Sequence, residues 1–145
     1  MPTEPAATAR PTSSNHRIVV GVDGSENSMK ALEWAAVEAD HTHAVLDIET
    51  AYEPGYVFIS REEVTESMER IVEEAAARVA ELAPGVTTKG GLHEASPAKA
   101  LIETSEGADL LVVGSRGLGG FMGLLLGSVS QQCLLHAHCS VTVIR

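Results

Sequence analysis

Residues 114–128 read G-S-R-G-L-G-G-F-M-G-L-L-L-G-S, a stretch whose residue types and spacing could do chemistry. Five glycines fall within ten residues, directly after the apolar run Leu110-Leu111-Val112-Val113. Glycine lets the backbone approach a ligand closely, and successive outward N–H groups form an anion-binding concavity. Gly127-Ser128-Val129-Ser130 then opens a helix. Its first N–H groups lack intrahelical partners, and its dipole favours negative charge. Ser115, Ser128 and Ser130 carry hydroxyls, and Arg116 is the only cation of the loop. In physical terms this is a phosphate site; the plainer reading is a surface loop with Ser128 as an ordinary helix cap. There is no G-x-x-x-x-G-K-[ST], which excludes a P-loop. A G-x-G begins at Gly117, but Met122 stands where the third glycine belongs, and the loop follows a late strand, against a Rossmann dinucleotide site.

A second cluster, Gly21-Val22-Asp23-Gly24-Ser25, closes the run Ile18-Val19-Val20. If that strand neighbours the one ending at Val113, both loops line one crevice, with Asp23 as the carboxylate beside the phosphate loop. Asp23 could accept from a ribose hydroxyl or help hold Mg²⁺ against phosphate oxygens. Its plainer role is an Asx turn or a helix cap. The six histidines offer no metal signature: His41 with His43, and His136 with His138, stand at i,i+2 without a second ligand pair of firm spacing. Cys133 reads as a small apolar core residue. No G-x-S-x-G elbow supports a serine hydrolase.

The elements that must position these residues alternate. Residues 18–22 form a buried β-branched strand, and Met29, Leu32, Ala36 and Ala39 mark a helix from about Asn27 to Ala39. A strand is expected within Ala44 to Ala51, made less apolar by Asp47 and Glu49. Ser60 and Glu63 have capping-box spacing before a long helix with Val64, Met68, Ile71, Val72, Ala75, Val79 and Leu82 on one face. Glu66 with Arg70 and Glu74 with Arg78 are i,i+4 pairs, and Pro84-Gly85 ends the helix. A weaker strand is expected around Val86 to Gly90. Ser96-Pro97 opens a third helix, Asp109 to Val113 is a strand, Ser128 to about His136 a helix, and Val141 to Ile144 a final strand. The β-α alternation implies an α/β fold, a parallel sheet with helices on both faces and ligands bound beyond the strands' carboxyl ends.

The 145 residues suit one domain, with residues 1–16, rich in Pro, Ala, Thr and Ser, expected to be a disordered tail outside the fold. Aromatics are only 3%, so the core must be aliphatic. Twenty acidic against ten basic residues give a net charge of −10, which disfavours nucleic acid and anionic membrane as partners. No apolar run approaches a membrane span, and the first 16 residues lack the pattern of a secretory signal. With two cysteines, Cys133 and Cys139, the expected compartment is the cytoplasm.

With these residues in view, the chain resembles the universal stress protein family, specifically its ATP-binding branch. The branch motif G-x2-G-x9-G-[ST] is matched by Gly114, Gly117, Gly127 and Ser128, and residues 18–25, I-V-V-G-V-D-G-S, resemble the family's first strand and turn. The resemblance covers residues 17–145 as one universal stress protein domain. It implies a Rossmann-like five-stranded open sheet of order 3-2-1-4-5, commonly dimeric through the last strand, here 141–144. It also implies that the glycine loop and Ser128 hold a triphosphate, that Asp23 lies near ribose and phosphates, and that Ala51 lines the adenine pocket. Val113 falls on the base side, with Ser128, Val129 and Ser130 on the phosphate side. Expected site residues are thus Gly21, Val22, Asp23, Ala51, Val113, Gly114, Ser115, Arg116, Gly117, Gly127, Ser128, Val129 and Ser130, with Asp23 also facing a metal.

The leading expectation is a module that binds ATP with Mg²⁺ (AMP or cyclic AMP being alternatives) and reports its occupancy through a homodimer in a stress response. A slow ATPase or self-phosphorylating enzyme is the second reading, with little turnover expected because Asp23 and Arg116 are the only catalytic candidates beside the loop. A nucleotide-free dimeric scaffold is the third.

Overall fold

The computed structural model describes residues 16–53, 60–117 and 126–145. Nine elements alternate along the chain. They are β1 (Arg17–Gly21), α1 (Glu26–Thr42), β2 (Val45–Tyr52), α2 (Arg61–Leu82), β3 (Thr88–Glu94), α3 (Pro97–Thr104), β4 (Leu110–Gly114), α4 (Ser128–His136) and β5 (Ser140–Ile144). The five strands form one parallel sheet in the order β3-β2-β1-β4-β5. This is the expected open α/β arrangement. The tail expected over 1–16 lies outside the described residues except for His16, whose carbonyl accepts from Val45 N–H at 2.8 Å.

Strand alternation splits the interior into two cores. Ile18 and Val20 of β1, with Val22 just past its end, join Leu46 and Ile48 of β2 against Ala31, Leu32, Ala35 and Ala36 of α1 and Ala75 and Val79 of α2. Val19, Leu111 and Val113 face the other way, onto Leu101 of α3 and Cys133 of α4. The alanine stripe on α1 lets that helix lie close to the sheet with few large side chains.

Helix starts follow the sequence closely. The Ser60 and Glu63 side chains cap each other's backbone reciprocally, and Ser96 accepts from Lys99 N–H ahead of Pro97. α1 starts at Ser25, which accepts from Ser28 N–H, and runs one turn past the expected end. It stops at His43, whose positive φ of 58° closes the helix with an N–H bond to Ala39.

Two expectations are corrected. β3 begins and ends later than Val86 to Gly90, because its register with β2 runs from Leu46↔Thr88 to Tyr52↔Glu94. Gly90 and Gly91 therefore sit within the strand. A Cβ on Gly90 would lie 2.9 Å from Val72, and one on Gly91 would collide with the Glu49 carboxylate. Arg78 does not pair with Glu74; it reaches Glu33 on α1 and Glu81 one turn on, tying α1 to α2.

β1 also carries a polar tie on the α3 face. The Arg17 guanidinium bonds Asp47 Oδ2 of β2, and the carbonyls of Thr104 and Glu106 at the end of α3, each at 2.9 Å. It satisfies a buried carboxylate and the last carbonyls of the helix together. Arg17→Ala leaves both unpaired and should lower stability by about 2–4 kcal/mol, a fall in Tm of roughly 5–10 °C. Thermal unfolding checks this, and a change within two degrees would contradict it.

Candidate functional site

The strand order reverses between β1 and β4, where neighbouring carboxyl ends diverge and leave a crevice. β1 feeds residues 21–25 into it and β4 feeds residues 114–117. Gly24, at φ +85°, turns the chain toward α1. Gly114 lies so close to α1 that a Cβ there would stand 2.9 Å from the Asn27 backbone. The Asn27 side-chain amide donates to Ser115 Oγ at 3.0 Å, so the start of α1 and the end of β4 are locked together.

The glycine loop is pinned at both ends. Ser115 N–H donates to Ile144 of β5 at 2.7 Å, and its carbonyl accepts from Gly127 N–H at 2.6 Å. Ser130 Oγ donates to that same carbonyl and to the Gly127 carbonyl, both at 3.0 Å. Residues 118–125, including the apolar part of the loop, lie outside the described residues. α4 begins with Gly127 as its cap and has no side-chain cap bond, whereas Ser25, Ser60 and Ser96 cap the other three helices. Ser128 is thus the first helical residue rather than the cap. The first intrahelical bond runs from Gln131 N–H to the Gly127 carbonyl. The N–H groups of residues 128–130 therefore stand outside the helical ladder at the positive end of the dipole.

Asp23 faces Gly117 across the crevice: a Cβ on Gly117 would lie 2.6 Å from Asp23 Oδ2. Its Oδ1 accepts from Ser25 N–H at 2.8 Å, the Asx turn anticipated as its plainer role, and its own N–H donates to Ser28 Oγ at 3.2 Å. The local turn and a place at the crevice coexist in one side chain.

These elements enclose a cavity of about 540 Å³, within the ordinary range for small-molecule sites. Every residue singled out from the sequence lines it, from Gly21, Val22 and Asp23 through Ala51 and Val113–Gly117 to Gly127–Ser130. Val22 contributes backbone rather than side chain: its side chain packs in the core, and its N–H donates to the Glu49 carbonyl. Among the described residues the charged side chains on the wall are Asp23, Glu49 and Arg116. No group of three or more His, Cys, Asp or Glu among the described residues could hold a metal.

Sequence reasoning missed the far wall, which includes Glu49, Thr50, Met68 and Leu101. Glu49 is the telling omission. It is buried, and its Oε2 lies 2.5 Å from His93 Nε2 on β3. Burial first, and the Asp47 carboxylate second, push Glu49 up to about 7 against the opposing pull of His93. The available signal was parity: Glu49 precedes Ala51 by two positions, so both face the same side of β2.

Comparison with known proteins agrees with this architecture. The model of the universal stress protein family matches residues 14–145. A universal stress protein of Mycobacterium tuberculosis is 36% identical over 136 residues, spanning 88% of this chain and 44% of its own length. One from Thermus aquaticus is 35% identical over 133 residues, spanning 88% of this chain and 97% of its own. The chain thus covers about half the length of the mycobacterial relatives and nearly all of the Thermus protein. A solved universal stress protein in complex with cAMP is similar at a TM-score of 0.71 and 30% identity, covering 90% of this chain and 97% of that one. A protein solved as a structural-genomics test case reaches a TM-score of 0.79 at 18% identity, covering 90% and 95%, a likeness of fold. The fold is thus that of a parallel α/β protein with its crevice at the switch point, and the chain belongs to the universal stress protein family.

Glu49 generates a prediction about stability. A carboxyl with a higher pKa folded than unfolded binds more protons when folded, so its contribution falls as pH rises from about 4.5 to about 7. Urea unfolding at about pH 5 and pH 8 should show the wild type losing on the order of 2 kcal/mol more than Glu49→Gln across that interval. Equal losses in the two proteins would contradict the burial account of Glu49.

Proposed function

We propose that the cavity binds an adenine nucleotide, with ATP as the expected ligand, and that its occupancy is the signal the protein passes on. The observation that carries this reading is that the pinned glycine loop, the start of α4 and Asp23 line one cavity together with the apolar residues Ala51, Leu101 and Val113. Such a cavity has a polar end for phosphates and an apolar end for a base. The similar solved protein in complex with cAMP supports the nucleotide class.

Gly114, Gly117 and Gly127 keep the backbone open, and the N–H groups of residues 128–130 face the phosphates. The Ser130 hydroxyl is already committed to the loop carbonyls, so Ser130 would serve through its N–H. Ser128 Oγ and Arg116 are the remaining phosphate partners. Asp23 suits a Mg²⁺ that arrives with the nucleotide, since Mg²⁺ needs only one or two carboxylates when phosphates and water complete its shell. Bound there, the ion would neutralise phosphate charge beside an acidic chain. Among the described wall residues the only other charged side chain, Glu49, lies on β2 away from the glycine loop, and the reading is a binding module with slow turnover at most.

The reading includes a homodimer through β5 and a cytoplasmic compartment. β5 is the outer strand of the sheet beside β4, with residues 141–144 only partly covered, which leaves a pairing edge. Both cysteines are free thiols, in keeping with a reducing compartment. No helix among the described residues is long and apolar enough to cross a membrane.

Titration calorimetry with Mg-ATP tests the reading. The wild type should bind, and Gly117→Val, whose Cβ enters the space of Asp23 Oδ2, should bind at least tenfold more weakly. Gly127→Val should do the same while keeping its fold, because φ there is −80° and open to any residue. Circular dichroism checks folding. Absence of wild-type binding at millimolar ATP would contradict the proposal and leave the scaffold reading.

A further inference from the structure

Resting on the nucleotide reading above, we propose that Glu49, held by His93, is the residue that reads the base and sets the preference for adenine over guanine. Glu49 lines the cavity away from the phosphate-side loop. β4, which leads into the phosphate-side loop, is separated from β2 by β1, so Glu49 is two strand spacings, about 10 Å, from the Val113 row. It shares the cavity wall with Ala51, Gly21 and Leu101.

The sheet makes room for this side chain. Its register partners on the two flanking strands are Gly21 and Gly91, so no side chain stands beside it on its own face. A Cβ on Gly21 would strike Leu101, and one on Gly91 would strike the Glu49 carboxylate itself. The carboxyl thus lies in a trough of bare backbone that leads to His93.

The fold does not require a carboxyl at this position. Arg17, a partly buried cation on this face, is taken by Asp47 and by the carbonyls of Thr104 and Glu106 at the end of α3. Of the groups facing Glu49, Asp47 is acidic, His93 is its hydrogen-bond partner, and Lys89 on β3 is exposed. α3 presents Ala100 and Leu101, with Lys99 and Glu103 exposed, while Asp23 and Arg116 belong to the phosphate-side turns. A buried carboxyl without a Lys or Arg partner is expensive in a strand that an aliphatic residue would fill, and a role toward the ligand accounts for it.

The chemistry discriminates between bases. In the proposed arrangement His93 Nε2–H donates to Glu49 Oε2, 2.5 Å away, which leaves the carboxyl proton on Oε1. With Oε2 held by His93, a protonated carboxyl presents its donor at Oε1 and an acceptor at Oε2, an order that fits adenine's ring nitrogen and amino group and is reversed in guanine's N1–H and O6. An ionised carboxylate only accepts, and it matches guanine's adjacent N–H donors instead. Burial and Asp47 push Glu49 up to about 7, which keeps the acid form present near neutral pH and favours adenine.

The experiment measures Kd for Mg-ATP and Mg-GTP at about pH 6 and pH 8 in the wild type, Glu49→Gln and Glu49→Leu. Both nucleotides carry the same triphosphate, so their ratio isolates the base. The wild type should favour ATP, with the preference narrowing about tenfold from the lower to the higher pH. Glu49→Gln, which keeps one donor and one acceptor at every pH, should hold its ATP preference without the pH dependence. Glu49→Leu should bind both nucleotides with a ratio near one. An ATP preference in Glu49→Leu equal to that of the wild type would overturn the proposal while the nucleotide reading stands. Failure of the wild type to bind either nucleotide would bring down both.

Discussion

The Ser115 carbonyl is the point on which the site depends. It accepts from Gly127 N–H and from Ser130 Oγ, while Ser115 N–H reaches across to Ile144. One residue therefore joins the end of β4, the end of β5 and the start of α4. Twelve positions of chain separate Ser115 from Gly127, and closing such a loop costs conformational entropy. These short bonds hold its two ends together, so the N-terminus of α4 faces Asp23 whatever the residues between them do. Without them the exposed N–H groups of α4 would have no fixed relation to β1.

The two faces of the sheet are used differently. The face under α1 and α2 is an aliphatic core of valine, leucine, isoleucine and alanine, and it gives rigidity. The face under α3 and α4 carries a smaller apolar cluster and, beside it, the polar row Arg17, Asp47, Glu49 and His93. Arg17 and Asp47 sit toward the strands' amino ends and tie β1 to β2 and to the end of α3. Glu49 and His93 sit toward the carboxyl ends, and Glu49 opens on the cavity. One polar row thus runs from a structural tie at the amino ends to the cavity at the carboxyl ends.

What was legible in the sequence follows the range of the interactions. Helix caps are local, and Ser60 with Glu63 and Ser96 with Pro97 stand where their spacing put them. The glycine loop was legible because a backbone that must approach a ligand leaves its mark in the spacing of Gly114, Gly117 and Gly127. Sheet order came from resemblance rather than from pattern. Long-range partners were not legible: Arg78 chose Glu33, 45 residues away, over its helical neighbour Glu74. β3 was placed too early: the expected strand stopped at Gly90, whereas pairing with β2 carries it on to Glu94, with Gly91 left bare beside Glu49. Glu49 read only as a blemish on a strand, since its partner His93 lies 44 residues away.

The central claim is that the start of α4 and the glycine loop bind phosphate while the far wall holds a base. Heteronuclear NMR of the amide groups during a Mg-ATP titration tests it most directly. The account predicts that the largest shifts fall on Gly117, Gly127, Ser128, Val129 and Ser130, with a second group at Glu49 and Ala51. Shifts confined to other surfaces, or a spectrum unchanged at millimolar nucleotide, would contradict it.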